Sequence, residues 1–367
     1  MQSVYPKKEN CCGCGACSAI CAMQAIHMLP DEEGFLYPKI DPTRCVNCRR
    51  CTGICPILQE GNYKQNGLPS VCAARHKSKQ VLQNSTSGGA FTAVSDAILR
   101  QGGIIYGADF DESFRVIHRR AETTEQRDRM RFSKYVQSDM GDTYTRIKKD
   151  LKAGRITFFT GTPCQCAGLR GFIGESSLTE NLYMCDLICY SIPSPLVWED
   201  YKNLLEEEYG EKITGIQFRS KNLGWSRDNS KKGFLFTTDK NPNKQEDNRF
   251  YQLFFKSGSI TRPSCSQCQF TDIHRVSDLT IADYWGIEKY SPDFFDPLGV
   301  SLILINSPKG EDLLRQCQQD MITENRSPEE ALNEQKRLSE PLPLSQNRTQ
   351  FWKDYKHFGL RYVLEKY

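Results

Sequence analysis

The chain has 367 residues, 38% hydrophobic and 25% charged, and its mean hydropathy of −0.56 describes a globular protein. No apolar run approaches the roughly 20 residues of a membrane span, and a net charge of +3 is too small to argue for a nucleic-acid partner. Seventeen cysteines, with no apolar segment after the basic N-terminal MQSVYPKKEN, point to metal and redox chemistry in a reducing cytoplasm rather than to secreted disulfides.

The first element is a cysteine ladder over residues 11–56. Cys11, Cys14, Cys17 and Cys21 have the spacing C-x2-C-x2-C-x3-C, and Cys45, Cys48, Cys51 and Cys55 repeat it, followed by Pro56. This is the spacing of two-cluster 4Fe-4S ferredoxins, in which three thiolates wrap one cluster and the fourth reaches the other. The expected ligand sets are Cys11, Cys14, Cys17 and Cys55 for one cluster, and Cys45, Cys48, Cys51 and Cys21 for the second. Zinc favours separate C-x2-C pairs, and disulfides favour an oxidising compartment. Gly13, Gly15 and Gly53 suit the tight turns of such a site. Cys12 is read as a spare thiol, and Ala22 stands where a proline often follows the fourth cysteine. Between the runs, AIHML and FLYPKI flank Pro30-Asp31-Glu32-Glu33-Gly34, a hairpin signal.

Residues 60–69, EGNYKQNGLP, read as a linker. VCAAR opens the next domain. A helix is expected through Ala90, Phe91, Val94, Ala97 and Ile98, capped by Gly102, then the strand IIYGADF. A helix around Tyr144, Ile147 and Leu151 ends at Gly154, followed by the strand ITFFT, a helix in GTPCQCAGLRGFIG and the strand LYMCDLIC. Helices alternating with apolar strands indicate an α/β domain. IQFRS, FLFTT and FYQLFF, within residues 213–262, read as an antiparallel insertion. SDLTIADYW and GVSLILINS return to buried strands, and the chain from about 309 reads as a polar helical tail.

Ser85-Thr86-Ser87-Gly88-Gly89 opens a helix and offers backbone N–H groups to a phosphate, or serves as an ordinary N-cap. No G-x-G-x-x-G follows a strand, so a Rossmann fold has no support. A second cysteine set comprises Cys164 and Cys166, Cys185 and Cys189, and Cys265 and Cys268. Cys265-x2-Cys268 presents two thiolates to one metal. Cys164 and Cys189 follow two β-type strands and meet at one sheet edge if those strands are neighbours; the spacing equally suits buried structural thiols.

TSGGAFTAVSDAILRQGGIIYGADFD, SKYVQSD, FFTGTPCQCAGLRGF, CDLICYSIPSP, RPSCSQC and SDLTIADYWGI resemble the coenzyme F420 hydrogenase/dehydrogenase β-subunit family, from about residue 70 to about 306. The resemblance implies FAD and one further 4Fe-4S cluster in this domain. It carries the cluster onto Cys164, Cys189, Cys265 and Cys268, leaving Cys166, Cys185, Cys72 and Cys317 as bystanders. It carries the flavin site onto Ser87, Gly88, Gly89, Lys134, Tyr135 and Ser138, with Gly161 and Thr162 near the isoalloxazine. Gly88 and Gly89 then offer N–H groups to the pyrophosphate, and Lys134 offsets its charge. One departure stands out: YSIPSP follows Cys189 where many relatives have a histidine-glycine pair, so Tyr190 and Ser191 carry over no substrate role. His27, His118 and His274 are read as ordinary surface or core residues.

The expected architecture is an α+β ferredoxin-like module (residues 1–60), a linker (61–69), an α/β domain binding FAD and a 4Fe-4S cluster with an antiparallel β insertion (70–308), and a helical tail (309–367). The expected activity is that of a cytoplasmic iron–sulfur flavoprotein oxidoreductase. It relays electrons between three 4Fe-4S clusters and FAD to reduce or oxidise a small organic substrate, with a ferredoxin or larger redox complex as electron partner. The alternative is an electron-transfer subunit with no substrate of its own.

Overall fold

The structure, a computed structural model, describes residues 4–5, 7–59, 67–221, 224–227, 234–243 and 245–367. The linker expected over 61–69 lies mostly outside them.

Strands β1 (Ile26–Pro30) and β2 (Leu36–Ile40) pair antiparallel as the expected hairpin. Its turn is closed by Asp31, whose Oδ1 accepts from the Glu33 and Phe35 N–H groups at 3.0 Å each. The two cysteine runs flank this hairpin, each carrying one short helix, Ala16–Ala19 and Arg50–Gly53.

The main body is an eight-stranded mixed sheet. Its first five strands are β3 (Ser70–His76), β4 (Ile104–Phe110), β5 (Val116–Ala121), β6 (Thr157–Gly161) and β7 (Leu182–Leu187). A small separate sheet follows, with β8 (Ile213–Gln217), β9 (Leu235–Thr238) and β10 (Gln245–Glu246). The chain then returns to the large sheet as β11 (Leu279–Asp283), β12 (Ser301–Ile305) and β13 (Met321–Arg326). The large sheet runs β13-β3-β12-β11-β7-β6-β4-β5. Its centre, β4, β6, β7 and β11, is parallel, while β5 and the β12-β3-β13 edge are antiparallel.

Alternation along the strands gives the sheet two apolar faces. Ile105, Phe158 and Ile303 pack under Ala90, Ala93, Val94, Ala97 and Ile98 of the Ala90–Arg100 helix. Ile104, Tyr106 and Phe159 pack under helices Thr143–Lys152 and Pro163–Ile173, and Cys12, Cys14 and Ala16 join that same cluster. The cysteine ladder is therefore part of the core on that face. A third, aromatic cluster unites the Pro195–Tyr209 helix, the small sheet and the C-terminal Arg348–Lys366 helix around Trp198, Tyr201, Phe234 and Phe351. That last helix also reaches the ferredoxin hairpin, where Arg348 Nη1 donates to Glu33 Oε1 at 2.7 Å.

Two expectations are corrected. The run FYQLFF is helical, α over Arg249–Gln252 and π over Leu253–Ser257, with Phe250, Tyr251, Leu253 and Phe254 all buried in the aromatic cluster. The stretch read as a helical tail contains β13, which pairs with β3 at the sheet edge. No described helix is long and apolar enough to cross a membrane.

Candidate redox site

Positive φ at Gly13 (+70°) and Gly15 (+79°) folds the first cysteine run back on itself. Cys11, Cys14, Cys17 and Cys55 then line one small cavity of about 20 Å³. Burial pushes the Cys17 thiol up, and the neighbouring Cys11, Cys55 and Cys51 push it further. In the second set, Cys51 is raised by burial and by the proximity of Cys48 and Cys21. Cys48 is exposed, so this set faces outward while the first faces the core.

Cys164, Cys189, Cys265 and Cys268 line a second cavity of about 200 Å³, and Cys12 lines it too. Three local structures bring them there. Thr162 and Gln165 form a capping box that starts the Pro163–Ile173 helix and fixes Cys164 in its first turn. Cys189 follows the carboxyl end of β7, the strand next to β6 in the sheet. Cys265 lies in the Pro263–Gln267 turn, with Cys268 just after it. Burial, then the adjacent Cys268, pushes Cys265 up to about 12; burial, then Cys164, pushes Cys268 up to about 11. Thiols this reluctant to ionise alone become good ligands only where a metal takes their charge. Among the described residues no three ligating side chains are already closed to bonding geometry; the thiols line cavities instead.

Sequence reasoning missed the staple beneath this set. Arg275 is buried and its Nη2 donates to Asp186 Oδ1 at 2.9 Å and to the Leu187 carbonyl at 3.0 Å, while Nη1 donates to the Phe270 and Asp272 carbonyls at 2.9 and 3.0 Å. The loop after Cys268 is thereby tied to the strand end before Cys189. Gly168 was missed as well: a Cβ there would stand 3.0 Å from Cys14 Sγ and 2.9 Å from the Tyr144 hydroxyl. Only glycine lets the ladder settle against the helix that carries Cys164.

A larger cavity, about 390 Å³, opens outside the carboxyl ends of β6, β7 and β11, where parallel sheets place ligands. Ser87, Gly89, Lys134, Tyr135, Ser138, Gly161 and Thr162 line it; Gly88 does not. A Cβ on Gly88 would meet the Ala74 carbonyl at 2.4 Å and Ser301 N at 2.5 Å, so close strand packing explains this glycine. Gly89 (φ +85°) starts the helix under His76, whose Cβ a side chain would meet at 2.9 Å. Lys134 also differs from its expected role. Its ammonium donates to the carbonyls of Arg129, Arg131 and Phe132, using all three protons to close its own loop. Burial pulls it down to about 8. Ser138 accepts from Gln165 Nε2 at 2.8 Å, and Tyr135 sits edge-on to Tyr251 and Phe255.

The cavity's other polar groups carried no signal in sequence. Arg131, Arg219 and Arg337 line it, with Arg219 paired to Asp283 and 5.0 Å over the Trp285 ring. His118 Nε2 lies 3.1 Å from the Thr160 carbonyl, and burial pulls the imidazole down to about 4. His118 Nδ1 and Ser191 Oγ are buried without a hydrogen-bond partner among the described residues. A helix N-terminus, cationic and aromatic walls and two orphaned polar atoms fit a planar, hydrogen-bonding, phosphate-bearing cofactor such as FAD.

The three cavities are contiguous. Cys12 lines the first two, and Thr162, Cys189, Tyr190 and Ser191 line the second and the third. The residues that replace the expected histidine-glycine pair thus form the wall between the cysteine set and the large cavity.

Residues 155–331 match the family described as the C terminus of the coenzyme F420 hydrogenase/dehydrogenase beta subunit, and residues 10–57 match the 4Fe-4S dicluster domain. A polyferredoxin-like protein of Methanocaldococcus jannaschii is 35% identical over 63 residues, 15% of this chain and 38% of that protein. One component of the Na(+)-translocating ferredoxin:NAD(+) oxidoreductase complex of Acetobacterium woodii is 41% identical over 49 residues, 13% of this chain and 14% of its own length. A ferredoxin of M. jannaschii is 39% identical over 49 residues, 13% of this chain and 62% of its own length. The chain thus spans less than two thirds of each of these relatives. A chain of the F420-reducing NiFe hydrogenase complex from Methanosarcina barkeri, solved as a xenon derivative, shares the fold. Its TM-score is 0.50 at 16% identity, over 82% of this chain and 97% of that one.

Proposed function

We infer, from the match of residues 155–331 to the coenzyme F420 hydrogenase/dehydrogenase β-subunit family and of residues 10–57 to the 4Fe-4S dicluster domain, that this chain is a cytoplasmic iron–sulfur flavoprotein oxidoreductase. The observation that carries the reading is the contiguity of the three cavities, joined at Cys12 and at Cys189. In this reading Cys11, Cys14, Cys17 and Cys55 hold an inner ferredoxin-type cluster, and Cys21, Cys45, Cys48 and Cys51 an outer one. Cys164, Cys189, Cys265 and Cys268 hold the third, and the large cavity holds FAD. Bound there, the clusters supply one-electron steps and the flavin pairs two of them for an organic substrate.

The residues of this chain set the rest. The N-terminus of the Ala90–Arg100 helix and the guanidinium of Arg131 attract the pyrophosphate. His118, kept neutral by burial, offers Nδ1 to the cofactor while Nε2 is engaged by the Thr160 carbonyl. Tyr190 and Ser191 keep the partition between cluster and flavin thin.

A second reading, an electron-transfer subunit docked to a larger redox complex, is favoured by the outward face of the ladder. Arg44, Arg49 and Arg50 are exposed there, around the exposed Val46, Cys48 and Leu58. A basic rim around an apolar centre suits an acidic electron-carrier protein. The test is anaerobic purification with iron and flavin analysis. The first reading expects about twelve iron atoms and one FAD per chain, with the reduced flavin reoxidised by a small substrate alone. About eight iron atoms without flavin would overturn it, and reoxidation only through a protein partner would favour the second.

A further inference from the structure

Arg262 is 1% exposed and lies on the loop that leads into Cys265. Its Nε donates to the Cys11 carbonyl at 2.9 Å, Nη1 to Gln137 Oε1 at 2.7 Å and Nη2 to the Leu36 carbonyl at 2.9 Å, with Cys11 Sγ 3.9 Å from Nη2. The Tyr37 ring lies 4.3 Å from the guanidinium carbon and the Phe35 ring 5.3 Å. A Cβ at Gly13 would stand 2.7 Å from Nη1, so that glycine makes room for the cation. No carboxylate pairs with Arg262 among the described residues; its partners are carbonyls, an amide, aromatic faces and a cysteine.

A guanidinium does not lose its proton in a protein, and a buried cation without a counter-ion is costly. The missing negative charge has an evident source. A 4Fe-4S cluster with four thiolates is anionic overall and gains one more negative charge on one-electron reduction. We propose that Arg262 is the built-in counter-ion of the inner cluster, a positioning residue that raises that cluster's reduction potential above that of the outer one. The inference rests on the assignment of a cluster to Cys11, Cys14, Cys17 and Cys55. The arginines near the outer set are exposed, so water and salt screen them, whereas Arg262 acts through the low-dielectric core. When the outer cluster hands one electron inward, it is oxidised and the inner one reduced with no proton moved, and Arg262 stabilises the product. The same contacts tie the ladder and its hairpin to the Cys265 loop, so cluster and interface support each other.

The test is a redox titration of the anaerobic holoprotein followed by electron paramagnetic resonance. For Arg262→Gln the account expects the reduced-to-oxidised ratio of the inner cluster at fixed potential to fall about tenfold, ~59 mV for a one-electron couple, with the outer cluster unmoved and the third, whose cavity Arg262 also lines, shifted less. Arg262→Lys keeps the charge and stays near the parent. Gln137→Glu keeps the arginine and gives it a carboxylate, so it shifts the same cluster in the same direction and serves if Arg262→Gln does not fold. An inner-cluster potential unchanged in both Arg262→Gln and Gln137→Glu, or an equal shift of all clusters, overturns the proposal. A parent protein with normal iron at the other sites but no inner-cluster signal would instead overturn the assignment on which it rests.

Discussion

The thiol of Cys12 meets that of Cys164 across the seam between the cysteine ladder and the α/β domain, and meets Cys14 on its other side. The contact with Cys14 is the main cause that pushes the Cys12 thiol up, and burial adds to it. Cys12 lies outside both C-x2-C-x2-C-x3-C runs, so between these two ligand candidates it is read as a contact, not a ligand. Cys12→Ala is therefore expected to keep the parent's iron content. A loss of about four iron atoms would make Cys12 a ligand and displace one of the twelve cysteines assigned here.

The Arg275 staple is expected to be the most sensitive structural residue around the third cysteine set. Its side chain is 2% exposed and that of Asp186 0%. Arg275→Ala leaves the Asp186 carboxylate buried without its partner, a loss of about 3–5 kcal/mol. It also frees the Cys268 loop from the Cys189 strand end. Denaturant unfolding and iron analysis check this: stability falls and about four iron atoms are lost. A variant with parent stability and iron would show that the loop holds its place without the pair.

Gly168→Leu tests the seat of the ladder. The added side chain must displace Cys14 or Tyr144, an overpacking cost of about 1–3 kcal/mol. The expected outcome is faster proteolysis at the N-terminal module and loss of the inner cluster's signal, with the large cavity still binding flavin. An unaltered digestion pattern and spectrum would contradict the packing argument.

His118 gives the fold a pH dependence with a definite sign. Burial lowers its folded-state pKa to about 4 from the ordinary histidine value of 6.5. Between those values the unfolded chain binds a proton that the folded chain refuses, so stability is complete above about 6.5 and falls as pH drops towards 4. The loss is at most about 3 kcal/mol, at 1.36 kcal/mol per pH unit. His118→Gln keeps a donor for the Thr160 carbonyl but does not titrate. Its denaturant midpoint is expected to fall less than the parent's between pH 7 and 5; parallel curves would show that His118 is not the group.

The parts of the molecule legible in sequence are those whose signals are local. The ladder's spacing brings Cys11, Cys14 and Cys17 to one cavity with Cys55, and the β6 and β7 strand ends deliver Cys164 and Cys189 to the next. FYQLFF, read as a strand, is helical: a short aromatic run fits a buried strand or a helix equally, and the aromatic cluster decides for the helix. MITENR became the edge strand β13 with little apolar signal, since an edge strand half in water needs little. Arg262, Arg275 and Gly168 were silent because the groups that define them lie far away in the chain, at Cys11, Asp186 and Cys14 respectively. Lys134 misled for the opposite reason: its neighbours Arg129, Arg131 and Phe132 already use every proton it has.

The central claim is that electrons pass from the ladder through Cys164, Cys189, Cys265 and Cys268 to a flavin in the large cavity. Cys268→Ser tests it most directly, in a single-turnover measurement of flavin reduction after the ladder is reduced anaerobically. The account predicts that about four of about twelve iron atoms are lost, that FAD stays bound, and that flavin reduction slows at least tenfold while ladder reduction is unchanged. A variant with the parent's iron content and the parent's rate of flavin reduction would contradict it.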